Sequence, residues 1–135
     1  IGGLETLMSY GVQPSLNADA AAQKELAKAL ENALPAAHRE FLSGLDVSFP
    51  CGSYFFVHAG VRPGIPLSEQ QETDLLWIRD EFLQSKKHFG KYIIHGHTPV
   101  RSAQMLANRA NIDTGAYATG NLTLLSIQGS SLLAV

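Results

Sequence analysis

The sequence predicts an α/β fold with helices first and mostly strands after, and three observations predict it. Apolar residues recur at helical spacing in the first third, at Leu26, Leu30, Ala33 and Leu34. From Asp46 onward they gather instead into short runs separated by turn-forming residues, the pattern of strands. One helical stretch, 72–83, interrupts those runs, so helices are expected to cover one face of a sheet.

The elements follow in chain order. Asn17 stands where an N-cap belongs, Asp19 falls in the first turn, and Pro35 stops the helix. Pro35 then suits the first position of a second helix through Phe41 and Leu42, with Gly44 as its stop. Strands are expected over 47–49, 54–58, 92–95 and 104–106, around Ile112, and over 122–127. Pro50-Cys51-Gly52 is the right size to join the first two as a hairpin. The helical segment 1–45 and the sheet-rich segment 46–135 therefore differ in character, and no internal repeat links them.

Composition narrows the function classes. A chain of 135 residues suits one domain or part of one. Its 45% apolar and 16% charged residues, against a usual charged share of about 25%, exclude a disordered chain. Ten basic and 12 acidic residues give a net charge of -2 without a Lys/Arg stripe, which argues against nucleic acid as partner. A phosphate ligand needs only local positive charge and stays open. No run approaches the roughly 18 apolar residues of a membrane span, and no leader pattern opens the chain, so a soluble, cytoplasmic protein is expected. Cys51, the single cysteine, can form neither an internal disulfide nor a thiolate metal cage and reads as structural.

Three loops carry the candidate chemistry: His58-Ala59-Gly60-Val61-Arg62, His95-Gly96-His97-Thr98-Pro99 and Asn111-Ile112-Asp113-Thr114-Gly115. Each follows an apolar strand, where a sheet fixes positions and loops supply functional groups. Their small residues are expected to leave room for a ligand. A lone histidine at such a place is ordinary, but His58 and His97 together make a shared divalent metal site plausible. His95 reads as a supporting or structural histidine, and His38 and His88 as surface groups. Arg79 either snorkels beside Asp80 and Glu81 or offers a guanidinium fork to two phosphate oxygens, a geometry lysine lacks. Arg62 is a weaker candidate of the same kind, and Trp77 is expected in the core. Asp113 could be a third ligand, but a carboxylate capping the turn amides is preferred. The residues alone describe a partial site.

With His58-Ala59-Gly60, Leu76-Trp77-Ile78-Arg79, Gly96-His97-Thr98-Pro99 and Asn111-Ile112-Asp113-Thr114-Gly115-Ala116 in this order, the chain resembles calcineurin-like metallophosphoesterases. Within them it looks most like the bacterial and phage-type (lambda phosphatase-like) protein serine/threonine phosphatases, over 53–128. The resemblance implies a four-layer αββα sandwich of which 1–135 is the C-terminal half. It implies two divalent ions (manganese, iron or zinc), with His58 and His97 ligating the second metal. It implies that Arg79 binds substrate phosphate while a metal-bridging water attacks phosphoserine, phosphothreonine or phosphotyrosine in a protein; Arg62 is added as a second substrate-binding candidate on its residue type and loop position alone. The family's earlier motifs, which carry the first-metal ligands, are absent here. The chain, which opens on Ile1-Gly2-Gly3, is thus expected to be a fragment, inactive alone, its core covered by a missing N-terminal half or a swapped partner chain. A symmetrical dinucleoside tetraphosphatase and a non-catalytic phosphate-binding remnant are the alternatives.

Overall fold

The computed structural model describes residues 3–14 and 17–135, and the chain divides into two compact units, Ile1–Leu45 and Asp46–Val135. The first holds α1 (Gly3–Ser9), α2 (Ala20–Ala33) and α3 (Ala36–Ser43), none of which contains a buried residue. The N-cap of α2 is Asp19 rather than Asn17: its Oδ1 accepts from the Ala22 N–H at 2.8 Å. A carboxylate there meets both the unpaired amides and the positive end of the helix dipole. Gly44 closes α3 as expected, its N–H donating to the Glu40 carbonyl.

The second unit is built on a five-stranded mixed sheet. Its strands are β1 (Ser48–Cys51), β2 (Tyr54–Val57), β3 (Tyr92–His95), β4 (Gln104–Met105) and β5 (Arg109–Asn111), in the spatial order β1-β2-β3-β5-β4. β1 and β2 form the expected hairpin, with Cys51 paired to Tyr54 and the turn at Gly52-Ser53, where Gly52 has φ +54°. β5 falls just before Ile112 rather than around it. A separate antiparallel pair, β6 (Leu125–Gln128) and β7 (Ser131–Ala134), closes the chain. The Tyr54 hydroxyl donates to the Gly129 carbonyl in its turn at 2.9 Å.

Side-chain alternation puts Phe55, Val57 and Ile93 on one face, where they join Val61, Leu75, Ile78 and Phe82 in the core. Phe82 and Ile93 are completely buried. The helices facing this core are not the continuous 72–83 helix expected. Instead α4 (Glu72–Trp77) and α5 (Asp80–Leu83) meet at a break, with Ile78 extended at φ -59°, ψ 143°. The break lets Leu75, Ile78 and Phe82 all point inward, which one straight helix could not do while keeping Arg79 outward. It also corrects the expectation for Trp77, which is 69% exposed rather than in the core. No helix among the described residues is long and apolar enough to cross a membrane.

Candidate active site

β2, β3 and β5 run parallel, so their C-terminal ends reach the same edge of the sheet. That edge is where open α/β sheets place ligands, because the loops leaving it converge. The register pairs Phe56 with Ile94 and His95 with Asn111, which brings the three loops side by side. Two hydrogen bonds extend the ladder past the strands: Gly96 N–H to the His58 carbonyl at 2.9 Å, and Ile112 N–H to the His95 carbonyl at 3.0 Å.

His58 and His97 meet here. Nε2 of His58 lies 3.0 Å from Nδ1 of His97, with the rings edge to face and 4.8 Å between centroids. Two nitrogens about 2.0–2.1 Å from one cation, at octahedral to tetrahedral angles, stand about 2.8–3.4 Å apart, so the pair, here joined by a hydrogen bond, also fits a shared divalent ion. Burial, then the neighbouring Arg79 and His58, lowers the His97 pKa and favours the neutral imidazole whose lone pair a metal needs. The other ring nitrogen of His97, Nε2, is buried without a hydrogen-bond partner among the described residues. No group of three or more His, Cys, Asp or Glu side chains able to hold a metal occurs among them. A metal held here would take only two of its ligands from these histidines.

His97 is also strained. Its φ is +66°, the one positive value on a described non-glycine residue, and it sits at the centre of a γ-turn closed by Thr98 N–H to the Gly96 carbonyl at 2.8 Å. A left-handed backbone costs a residue with a Cβ about 1–2 kcal/mol, and such turns are rare. Strain held against that cost marks places where geometry matters more than stability.

Arg79 lies beside this turn. Its Nη1 donates to the Thr98 hydroxyl at 3.0 Å and to the His97 carbonyl at 3.4 Å, and no other partner of its guanidinium occurs among the described residues. Half of the fork is thus aimed and open. Arg62, named with Arg79 from sequence, is placed differently: Nε and Nη2 grip both oxygens of Asp74 at 2.7 and 2.6 Å, and Nη1 takes Glu81 at 2.5 Å. Asp74 raises the Arg62 pKa, and Arg62 holds the Asp74 carboxyl below its ordinary value. Each of its three nitrogens thus holds a carboxylate, through three of the five N–H donors.

Asp113 serves as the turn cap: Oδ1 accepts from the Gly115 N–H at 2.9 Å, and its own N–H donates to the Asn111 side chain. The expectation that small loop residues leave space for a ligand is corrected at two positions. A Cβ on Gly60 would stand 2.2 Å from the Phe82 ring, and one on Gly96 would stand 3.2 Å from the Asp113 Cβ. The protein's own side chains fill both places. Sequence reasoning gave no role to Thr98, and it missed Trp77, whose ring stands edge-on to His97 with centroids 5.6 Å apart. The Trp77-Ile78-Arg79 order holds the signal, since two residues on one exposed turn flank a break. His38 and His88 are surface groups, as expected.

No family model matches the chain, and no curated protein does. It is similar to a crystal structure described as that of a "putative diadenosine tetraphosphatase", with a TM-score of 0.62 and 18% identity, over 97% of this chain and 63% of that one. At that identity the likeness is one of fold, and the chain spans less than two thirds of that protein's length.

Proposed function

We propose that the chain carries one side of a metal-dependent phosphoesterase site that hydrolyses phosphate monoesters. The observation that supports it best is the 3.0 Å approach of His58 Nε2 to His97 Nδ1 beside the half-open guanidinium of Arg79. His58 and His97 would hold one divalent ion, which when bound acidifies a water and polarises a phosphoryl oxygen. Arg79 binds and orients the phosphate with its open Nη2 and Nε donors, and balances charge on the equatorial oxygens as it builds. Thr98 aims that fork by fixing Nη1. Arg62 is the weaker phosphate contact in this reading, because Asp74 and Glu81 already hold each of its guanidinium nitrogens.

The substrate class proposed first is phosphoserine or phosphothreonine in proteins, on the resemblance of the four loop motifs to protein phosphatases. A dinucleoside tetraphosphate is the second reading, favoured by the fold shared with the structure described above. Incubating the full-length protein with manganese, iron or zinc and assaying a phosphopeptide against diadenosine tetraphosphate separates them. Phosphate release from the peptide supports the first reading, and nucleotide products support the second. Phosphate binding without any metal-dependent hydrolysis would overturn both and leave a binding remnant.

A further inference from the structure

We propose that His95, locked by Arg109, is a positioning residue that holds the Gly96–His97 peptide in the turn from which His97 faces His58; its bearing on a metal rests on the reading above. His95 is 2% exposed, with Nε2 3.2 Å from Arg109 Nη1 and Nδ1 3.1 Å from the Gly96 carbonyl. A guanidinium only donates, so Nε2 of His95 must accept and Nδ1 must carry the proton. That proton lies on the nitrogen 3.1 Å from the Gly96 oxygen, with the Ala59 carbonyl as a second backbone acceptor near the ring. Arg109 thereby selects the tautomer, as the partner of a second ring nitrogen does in supported metal sites.

The Gly96 carbonyl belongs to the peptide whose orientation sets φ of His97. It accepts twice, from Thr98 N–H at 2.8 Å and from His95 at 3.1 Å. Without the histidine bond, the Gly96 carbonyl keeps only its turn bond to Thr98, the Arg79 contacts to the His97 carbonyl and Thr98 hydroxyl are left to hold the turn, and relaxation of the +66° φ swings the His97 ring away from His58. Arg109 is itself held rigidly. Nη2 donates to the Leu83 carbonyl at 2.7 Å, and its guanidinium carbon stands 5.5 Å from the centre of the Phe82 ring. The Phe82 ring in turn meets His95 edge to face at 4.9 Å and lies against Gly60 in the His58 loop.

Packing alone does not explain this arrangement. Arg109 is 5% exposed, makes no ion pair among the described residues, and leaves Nε buried without a partner. An apolar residue at either place would fill the volume without burying a charge. What the pair adds is a directed proton at the hinge of the His97 turn.

The test compares the full 135-residue chain with His95→Asn, which keeps a donor near the Nδ1 position, and His95→Phe, which keeps the ring but has no donor. Ring-nitrogen NMR without metal should find His95 as the Nδ1–H tautomer. The HN–Hα coupling of His97 should report positive φ in the parent and His95→Asn, and lose it in His95→Phe. Cobalt(II), followed by its visible absorption and by quenching of Trp77, the chain's single tryptophan, should bind the parent and His95→Asn alike and His95→Phe about 10–100-fold more weakly. An Nε2–H tautomer, or a His97 turn unchanged in His95→Phe, overturns the proposal. If the turn responds as expected but cobalt binds none of the three, the positioning role stands and the metal reading fails.

Discussion

Arg62 and Arg79 lie 17 residues apart in sequence and are the same residue type, yet the regions around them are built to opposite ends. Around Arg62 every guanidinium nitrogen has a carboxylate, and the Arg62 N–H and carbonyl are both bound by the Gln70 side chain. Around Arg79 the fork is half open, His97 is strained, and a ring nitrogen is buried without a partner. The first region is complete in itself and holds the 61–65 loop against α4 and α5. The second is incomplete and therefore available. Unmet polar groups, rather than the presence of arginine, separate a site from a brace.

The largest expected effect comes from Arg79→Ala. If the proposed function holds, kcat for phosphate monoester hydrolysis by the full-length protein falls about 10²–10³-fold, and thermal unfolding shifts little. Arg79→Lys restores only a small part, because an ammonium cannot offer a planar fork. An unfolding temperature that drops as steeply as activity would make Arg79 a brace like Arg62 and erase the contrast.

Next comes Gly60→Ala, which acts beneath both regions. Its Cβ would overlap the Phe82 ring, so either the ring or the His58 loop must move. A loss of about 1–3 kcal/mol is expected in denaturant unfolding. Unchanged stability would mean that Phe82 relaxes freely, and that the packing between loop and core is looser than described.

The smallest effects belong to the brace. Asp74→Asn should lower the unfolding temperature modestly at neutral pH without changing kcat. The Asp74 carboxyl is held below its ordinary 3.8, so its contribution is present above that value and is lost as pH falls through the lower folded value. Parent and variant should therefore converge below pH 3.8 and separate above it, in unfolding scans across that range. A gap that persists in strong acid would assign the effect to packing instead of charge.

Much of this contrast was legible in the sequence, and the physics explains where legibility stopped. Apolar runs ending in His58 and His95 marked strands with loops beyond them, since alternation and turn residues are local signals, whereas the polar Arg109–Asn111 strand was expected one step later, around Ile112. His58 and His97 could be paired on paper because both follow such runs. The helix break at Ile78 was not visible: Leu75, Ile78 and Phe82 fit helical spacing, and only the core shows that a straight helix would not suffice. Nor was the positive φ of His97, which Asn or Gly would have announced and a histidine conceals. Arg62 read like Arg79 because the acids that occupy it stand 12 and 19 positions away. β7 and α1 went unread, being four and seven residues long, too short to establish a period.

The spatial order of the sheet has a consequence for life at high concentration. A strand at the rim of a sheet offers open amides and carbonyls to any other chain, and is the usual seed of aggregation. Here the rims are β1 and β4. β4 is two residues long, too short to template a stranger, and β1 carries Pro50, which has no amide hydrogen to give. Strand addition is thus discouraged at both sides of this sheet, which leaves the loops at its parallel centre as the part of it open to contact.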